Sequence, residues 1–330
     1  MIDLNVRLDS SLGEDDYGYL ARQQKIVLPE EYKNILYFSK NNKEDYEKAR
    51  QIALSLLQKE DAIEYAVASL VHRLYNQGYA YAEIAFTPYF HNKEGLKQRK
   101  ILKAALRGLN DALKKCPGMD ANFILYCHRD ATYFFNAETV DLALEYKDER
   151  VVALGLEGND KSHPMVSFEK LFAKAKKENY PVVVELGESY ISNSSIAKAI
   201  EIGAKRIVAP YKFELDLSFV QTMVENGVYF EYRPSLDNIL GKLNSLEELP
   251  LKAVWQYGYP AYISGCAYYI ADAALKKEFA RLNRRGFMRE DVQRSLYNSI
   301  NAAFVRNIRE RNRIMKYSMD NFEHFYNKTI

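Results

Sequence analysis

Eight short runs rich in Val, Ile, Tyr or Phe recur along the chain, each followed by a stretch of helical character, and this alternation limits the fold more than any single motif does. The runs lie at 2–7, 79–86, 122–127, 151–156, 181–186, 206–209, 228–232 and 259–263. Each has the length of a buried parallel strand. Between them the apolar spacing shifts to a period of 3.6. In 59–78, Ile63, Ala66, Val67, Leu70 and Leu74 share one helical face, and in 98–115 Leu102, Ala105, Leu106, Leu109 and Leu113 do the same. Asp216 is placed to cap a helix carrying Phe219, Val220, Met223 and Val224, and 288–317 reads as further helix. Gly78, Gly203 and Gly227 each end a helix shortly before the next strand. Parallel strands need crossover helices, and eight such units close naturally into a (β/α)8 TIM barrel. A doubly wound open sheet is the competing arrangement. No Pro- or Gly-rich linker divides the chain, so 1–330 is expected to form a single domain. The long stretch 10–58 after the first strand should hold extra helices over one mouth of the barrel, with more at the C-terminus.

Charge and composition narrow the partners. Lys and Arg number 46 against 44 Asp and Glu, a balance of +2 that speaks against a nucleic-acid binder. Hydrophobic residues make up 48% of the chain, enough for a large core. No apolar run approaches the ~18–20 residues of a membrane span, and Asp3 and Arg7 interrupt the region where a secretory leader would be apolar. The three cysteines, Cys116, Cys127 and Cys266, are far apart and form no CxxC pattern. A reducing cytoplasm is the expected location, and a small-molecule ligand the expected partner.

Barrel active sites gather at the C-terminal ends of the strands. Alternation along the first strand sets Asn5 and Arg7 on the face opposite Val6, pointing into the mouth or, if the strand sits differently, leaving Arg7 to solvent. The fifth strand ends in VVVELGESY, which supplies Glu185 and, across Gly187, Glu188. This carboxylate pair could serve as acid and base, bind a cation, or simply close a salt-bridged strand end. The fourth strand ends in GLEGND, whose Gly158 suits close approach of a ligand to backbone, although the spacing is not GxGxxG. No HxH, HExxH, GxSxG or GxxxxGK[ST] string occurs. His128 is the one histidine near a strand end, and it reads as an ordinary loop residue. Tyr257, Tyr259, Tyr262, Tyr268 and Tyr269 crowd the eighth strand, where they could stack on a flat ring, pack internally or form a homo-oligomer contact.

Together these segments resemble the adenosine deaminase family of metal-dependent hydrolases across almost the whole chain. NVRLDSSL at 5–12 looks like HxHLDGxL, YAEIAFTP at 81–88 like YxExRxSP, and VVALGLEGND at 151–160 like VVGxDLAGxE. VVVELGES at 182–189 falls where the strand ends in HAGE, RIVAPY at 206–211 where RIGHGx belongs, and YISGCA at 262–267 where LNTDDP belongs. FEYRPSLDN at 230–238 is similar to xExCPxSN. The resemblance implies a catalytic zinc, yet the four ligand positions hold Asn5, Arg7, Glu185 and Gly265, so no metal is expected. The family's catalytic histidine corresponds to Ala209, and its base-contacting aspartate to Cys266. Other positions match: Asp9 the aspartate near the ribose 5′ end, Gly158 the glycine that meets the purine, and Glu188 the proton-shuttling glutamate. The expected function is an inactive or re-purposed family member that binds a purine nucleoside or related molecule through Asp9, Gly158 and Glu188. A metal-free glycosidase or nucleoside hydrolase using Glu157, Glu185, Glu188 or Glu231 is one alternative; it is weakened because Glu157 and Glu231 are not expected both to face inward. A zinc-dependent adenosine deaminase is the other. Arg7 is expected to pair with Glu185 or Glu188, with Asn5 completing the hydrogen bonds, and strand-eight aromatics are expected to wall a cavity with few polar groups.

Overall fold

The computed structural model describes residues 1–186, 192–211 and 213–329. Its strands are β1 Ile2–Arg7, β2 Tyr81–Phe86, β3 Asp120–His128, β4 Val151–Glu157, β5 Val182–Glu185, β6 Ala204–Val208, β7 Tyr229–Tyr232 and β8 Ala261–Ile263. They form one eight-stranded sheet in sequence order, each pairing in parallel with the next. At the seam between β8 and β1, Arg7 N–H donates to the Cys266 carbonyl (3.0 Å) and Gly265 N–H to the Asp3 carboxylate (2.9 Å). The fold is a (β/α)8 TIM barrel.

The alternation of β1 sorts its side chains cleanly. Ile2, Leu4 and Val6 join the large core between strands and helices, whereas Asn5 and Arg7 are turned toward partners on other strands and Asp3 toward Gly265 and Tyr268 just past β8. Inside the barrel a small apolar group of Ala85, Ile124, Tyr126, Ala153, Val183, Val208 and Ala209 packs together. Gly155 makes room for it, because a Cβ there would lie 2.3 Å from the Tyr126 ring. Much of the remaining interior is charged.

Helices α1 Glu14–Gln24, α2 Tyr32–Phe38 and α3 Lys43–Ser55 precede α4 Glu60–Asn76, the first crossover helix. The 10–58 segment therefore does supply additional helices, and α3 reaches the mouth. The apolar stripe read in 59–78 is buried, and Gly78 follows the helix at φ +83°. Asp216 caps its helix by accepting from Ser218 N–H at 2.8 Å. The expected helix over 288–317 is two, Arg289–Ala302 and Ile308–Asp320. The break turns Phe304 toward the barrel bottom, where its N–H donates to Glu83 Oε1 at 2.7 Å.

Candidate functional site

Arg7, the last residue of β1, crosses the barrel mouth and bridges two strand ends. Its Nη1 donates to Glu157 Oε2 at the end of β4, and its Nη2 to Glu185 Oε2 at the end of β5 (2.9 Å). The second Glu157 oxygen accepts from the Thr87 hydroxyl. The second Glu185 oxygen accepts from Arg233 Nη2 (2.5 Å) and from Lys242 Nζ (3.1 Å), while Arg233 also holds Asp237 at 2.8 Å. All four central residues are buried: Arg7 is 8% exposed, Glu157 4%, Glu185 7% and Arg233 1%. Burial alone would raise both glutamate pKa values. The cations overcome it, and Glu157 lies below the usual carboxylate range beside Arg7, with Glu185 well below it beside Arg233, Lys242 and Arg7.

The positions where the resemblance implies metal ligands do not fit a zinc ion. A catalytic zinc needs about three protein donors and one open position. Arg7 brings a positive charge, Gly265 brings no side chain, and the Glu185 charge is already shared among three cations. Asn5 does not assist Arg7 as expected. It donates instead to Glu231 Oε1 at 2.6 Å, one level deeper in the barrel. Gly265 also lies away from the mouth cavity, against Asp3, where a Cβ would sit 2.4 Å from Oδ2. Among the described residues no group of three or more His, Cys, Asp or Glu side chains is arranged to hold a metal ion.

Above the Arg7 bridge lies a cavity of about 340 Å³. One wall is a stripe of α3, Lys43, Tyr46, Glu47 and Arg50, at the i, i+3, i+4, i+7 spacing of a single helical face. Gly158, His128, Lys242 and Leu236 belong to the other sides. The aromatic wall is therefore Tyr46 of α3 rather than the tyrosines of the β8 region, and the lining is rich in charge rather than poor in polar groups. Gly158 adopts φ +104° with Arg129 Cβ only 3.2 Å from where a side chain would begin, so glycine alone suits this turn. Asp9 does not open onto the cavity, because Arg50 Nε covers its Oδ2 (2.8 Å) and Ser10 Oγ its Oδ1 (3.1 Å). Glu188 and Gly187 lie outside the described residues. Contrary to the expected parity, Glu157 and Glu231 both face inward, Glu231 being fully buried against Tyr262 and Ser264.

His128, read as a loop residue, stacks on Tyr89 with ring centroids 5.2 Å apart and lines the cavity. Its Nδ1 accepts from Asp130 N–H at 3.2 Å, which leaves the proton on Nε2. Burial lowers its pKa, so the ring is a neutral donor. Ala209 and Cys266, where the resemblance implies the catalytic histidine and the base-contacting aspartate, both hold positive φ, +61° and +82°. Residues with a side chain pay strain in this region. The Cys266 thiol, buried beside Arg7 and Arg233, is pushed up to about 12, mainly by burial.

Comparison with known proteins places this architecture. The adenosine deaminase family model matches residues 2–318. Adenosine deaminase of Haemophilus ducreyi is 28% identical over 318 residues, covering 93% of this chain and 92% of that protein. Among solved structures, adenine deaminase from Arthrobacter aurescens superposes with a TM-score of 0.83 at 19% identity, covering 96% of this chain and 98% of the other. Arabidopsis ADAL complexed with IMP gives 0.82 at 17% identity, with 98% and 97% covered. With the motifs in order along the barrel and the family model spanning nearly every residue, the chain belongs to the adenosine deaminase family.

Proposed function

We propose that this chain is a family member that binds a purine nucleoside or a related small molecule in the barrel mouth and has given up zinc-dependent deamination. One observation carries the reading: the Arg7 guanidinium bridges Glu157 and Glu185 at a position where the resemblance implies a metal ligand. A metal lowers the pKa of bound water from ~15.7 to about 7, and a guanidinium has no vacant orbital with which to do so. What remains is a recognition surface, in which Gly158 allows close backbone approach, the His128 Nε2–H is a donor, and Tyr46 offers a flat face. Glycoside cleavage by Glu157 and Glu185 is the weaker reading, since a general acid needs a raised pKa and both groups are lowered. The three buried, unpaired cysteines suit the proposed cytoplasmic setting.

The test combines three measurements on the whole protein. After incubation with a zinc salt and removal of unbound ion, elemental analysis should find no stoichiometric metal. Ultraviolet absorbance should show no conversion of adenosine to inosine. Calorimetry with adenosine and inosine should show heat of binding. Stoichiometric zinc accompanied by deamination would overturn the proposal, as would no binding of any purine compound at millimolar concentration.

A further inference from the structure

A second cavity, of about 290 Å³, opens at the end of the barrel opposite the mouth, beside Met1 and Gly78 where β1 and β2 begin. Its other walls include residues of the helices Leu275–Asn283, Ile308–Asp320 and Phe322–Thr329. Part of the lining is apolar. Leu296 and Phe325 are buried there, and Phe325 packs edge-on against Phe279 with ring centroids 6.1 Å apart.

The charge on this lining is of one sign. Lys276 and Lys328 both border the cavity, and no Asp or Glu does. Among the described residues neither lysine is in an ion pair, and the acids near them in sequence are engaged elsewhere: Asp272 by Lys277 and Arg281, Glu323 by Arg289. Burial and the Lys328 charge pull the Lys276 pKa below the usual lysine range, and no carboxylate acts on it in the other direction. The Met1 nitrogen is taken up by the Gly78 carbonyl at 3.0 Å. Ser318, also on the lining, is 4% exposed, and its hydroxyl is buried with no hydrogen-bond partner. A helical serine can turn its hydroxyl back to the carbonyl four residues earlier, as Ser299 does to Ser295 at 2.9 Å. Ser318 does not. A buried hydroxyl left unpaired is costly, and on a wall shared with two unpaired cations it is suited to an oxygen anion.

We propose that this cavity is a second binding site, separate from the mouth, for a small organic carboxylate. The carboxylate lies between Lys276 and Lys328 and accepts from Ser318 Oγ, while a short apolar body covers Leu296 and Phe325. A phosphate, with oxygens on every side, would leave that apolar lining wet. The bound molecule would tie the C-terminal helices to the start of β1.

The experiment is calorimetry of the whole protein with benzoate, benzyl alcohol and inorganic phosphate. Benzoate is expected to bind at least about tenfold tighter than benzyl alcohol, which has the same ring without the charge, and tighter than phosphate. The melting temperature should rise with benzoate concentration. Lys276→Gln should remove most of the advantage over benzyl alcohol, and Lys328→Gln a smaller part. Ser318→Ala should weaken benzoate by about threefold or more and melt no earlier than the parent protein, which a purely structural hydroxyl would not allow. Equal binding of benzoate and benzyl alcohol overturns the proposal, as does a benzoate affinity untouched by both lysine substitutions. Phosphate binding as tightly as benzoate overturns the choice of a carboxylate. Displacement of benzoate by excess inosine would put it in the mouth and overturn the separate site, and no benzoate binding at millimolar concentration overturns it outright. None of these outcomes bears on whether the mouth binds a purine.

Discussion

Arg206 and Arg7 each reach into the barrel toward two glutamates, but they work at different depths and under different balances of charge. Arg206, on β6, pairs with Glu83 and lies 3.8 Å from Glu231, so one guanidinium serves two carboxylates. This level is sealed: all three side chains are fully buried, and Phe304 stacks 4.0 Å from the guanidinium as a plug. Burial wins there, and the Glu83 pKa is raised in spite of Arg206. At the mouth Glu185 alone meets three cations, and charge wins over burial. The deep level is a structural clamp with nothing left over. At the mouth three cations, Arg7, Arg233 and Lys242, meet three carboxylates, Glu157, Glu185 and Asp237, beside open volume.

The sharpest test of this contrast is Arg206→Met. It strands two buried carboxylates, and a loss of about 3–5 kcal/mol or outright failure to fold is expected in denaturant unfolding. A cost smaller than that of Arg7→Ala would break the comparison.

The two ends should also respond oppositely to pH. Asp3, at the closed end, is raised to about 7, chiefly by burial. A carboxyl raised in the folded state contributes stability that is present below its unfolded pKa and fades as pH rises through about 7. Stability should therefore fall between about pH 4 and 7 by something on the order of 2–4 kcal/mol from this group, and Asp3→Asn should flatten that slope. Glu157 and Glu185 are lowered instead, so their contribution is present above the unfolded value of about 4.3 and is lost as pH falls below it. Glu185→Gln should therefore blunt acid unfolding without changing the neutral-pH slope. Melting curves at several pH values separate the two effects.

Arg7→Ala should cost less, about 1–3 kcal/mol, because water from the cavity reaches the site and Glu185 keeps Arg233 and Lys242. Adding Glu157→Gln should recover part of that loss, since Glu157 is the carboxylate left without a guanidinium; additive losses in the double variant would show that the two residues are uncoupled. The smallest effect is a gain. Ala209→Gly relieves a left-handed backbone at φ +61° and should stabilise by about 0.4–1 kcal/mol. Unchanged or lower stability would mean that this backbone is not strained.

Much of the scaffold was legible in the sequence because β-branched runs and 3.6-residue spacing are local signals. All eight strands fall on the runs read for them, with ends shifted by a residue or two. Strand parity also pointed Arg7 toward Glu185. The remainder of the mouth was not legible for a physical reason. Tyr46 and Arg50 arrive on a helix whose approach to the barrel is set by packing, and Lys242 arrives from beyond β7. Arg233 was within reach: it continues the parity of Glu231 past the end of β7. The interruption of helix at 303–307 had no local signal either, because Phe304 turns in to meet Glu83, a partner 221 positions away.

The Arg7 bridge limits what a single substitution can do at the mouth. Arg7→His, at a position where the resemblance implies a metal ligand, would supply one donor but would at once leave Glu157 and Glu185 facing each other without the guanidinium between them. Asn5 is tied to Glu231, and a side chain at Gly265 would collide with Asp3, the Tyr268 ring and the Leu275 backbone. Each single step toward a metal centre therefore passes through a less stable protein before a donor set exists to compensate it. The bridge acts as a latch, and a metal-binding mouth is reached from this one only by several substitutions made together.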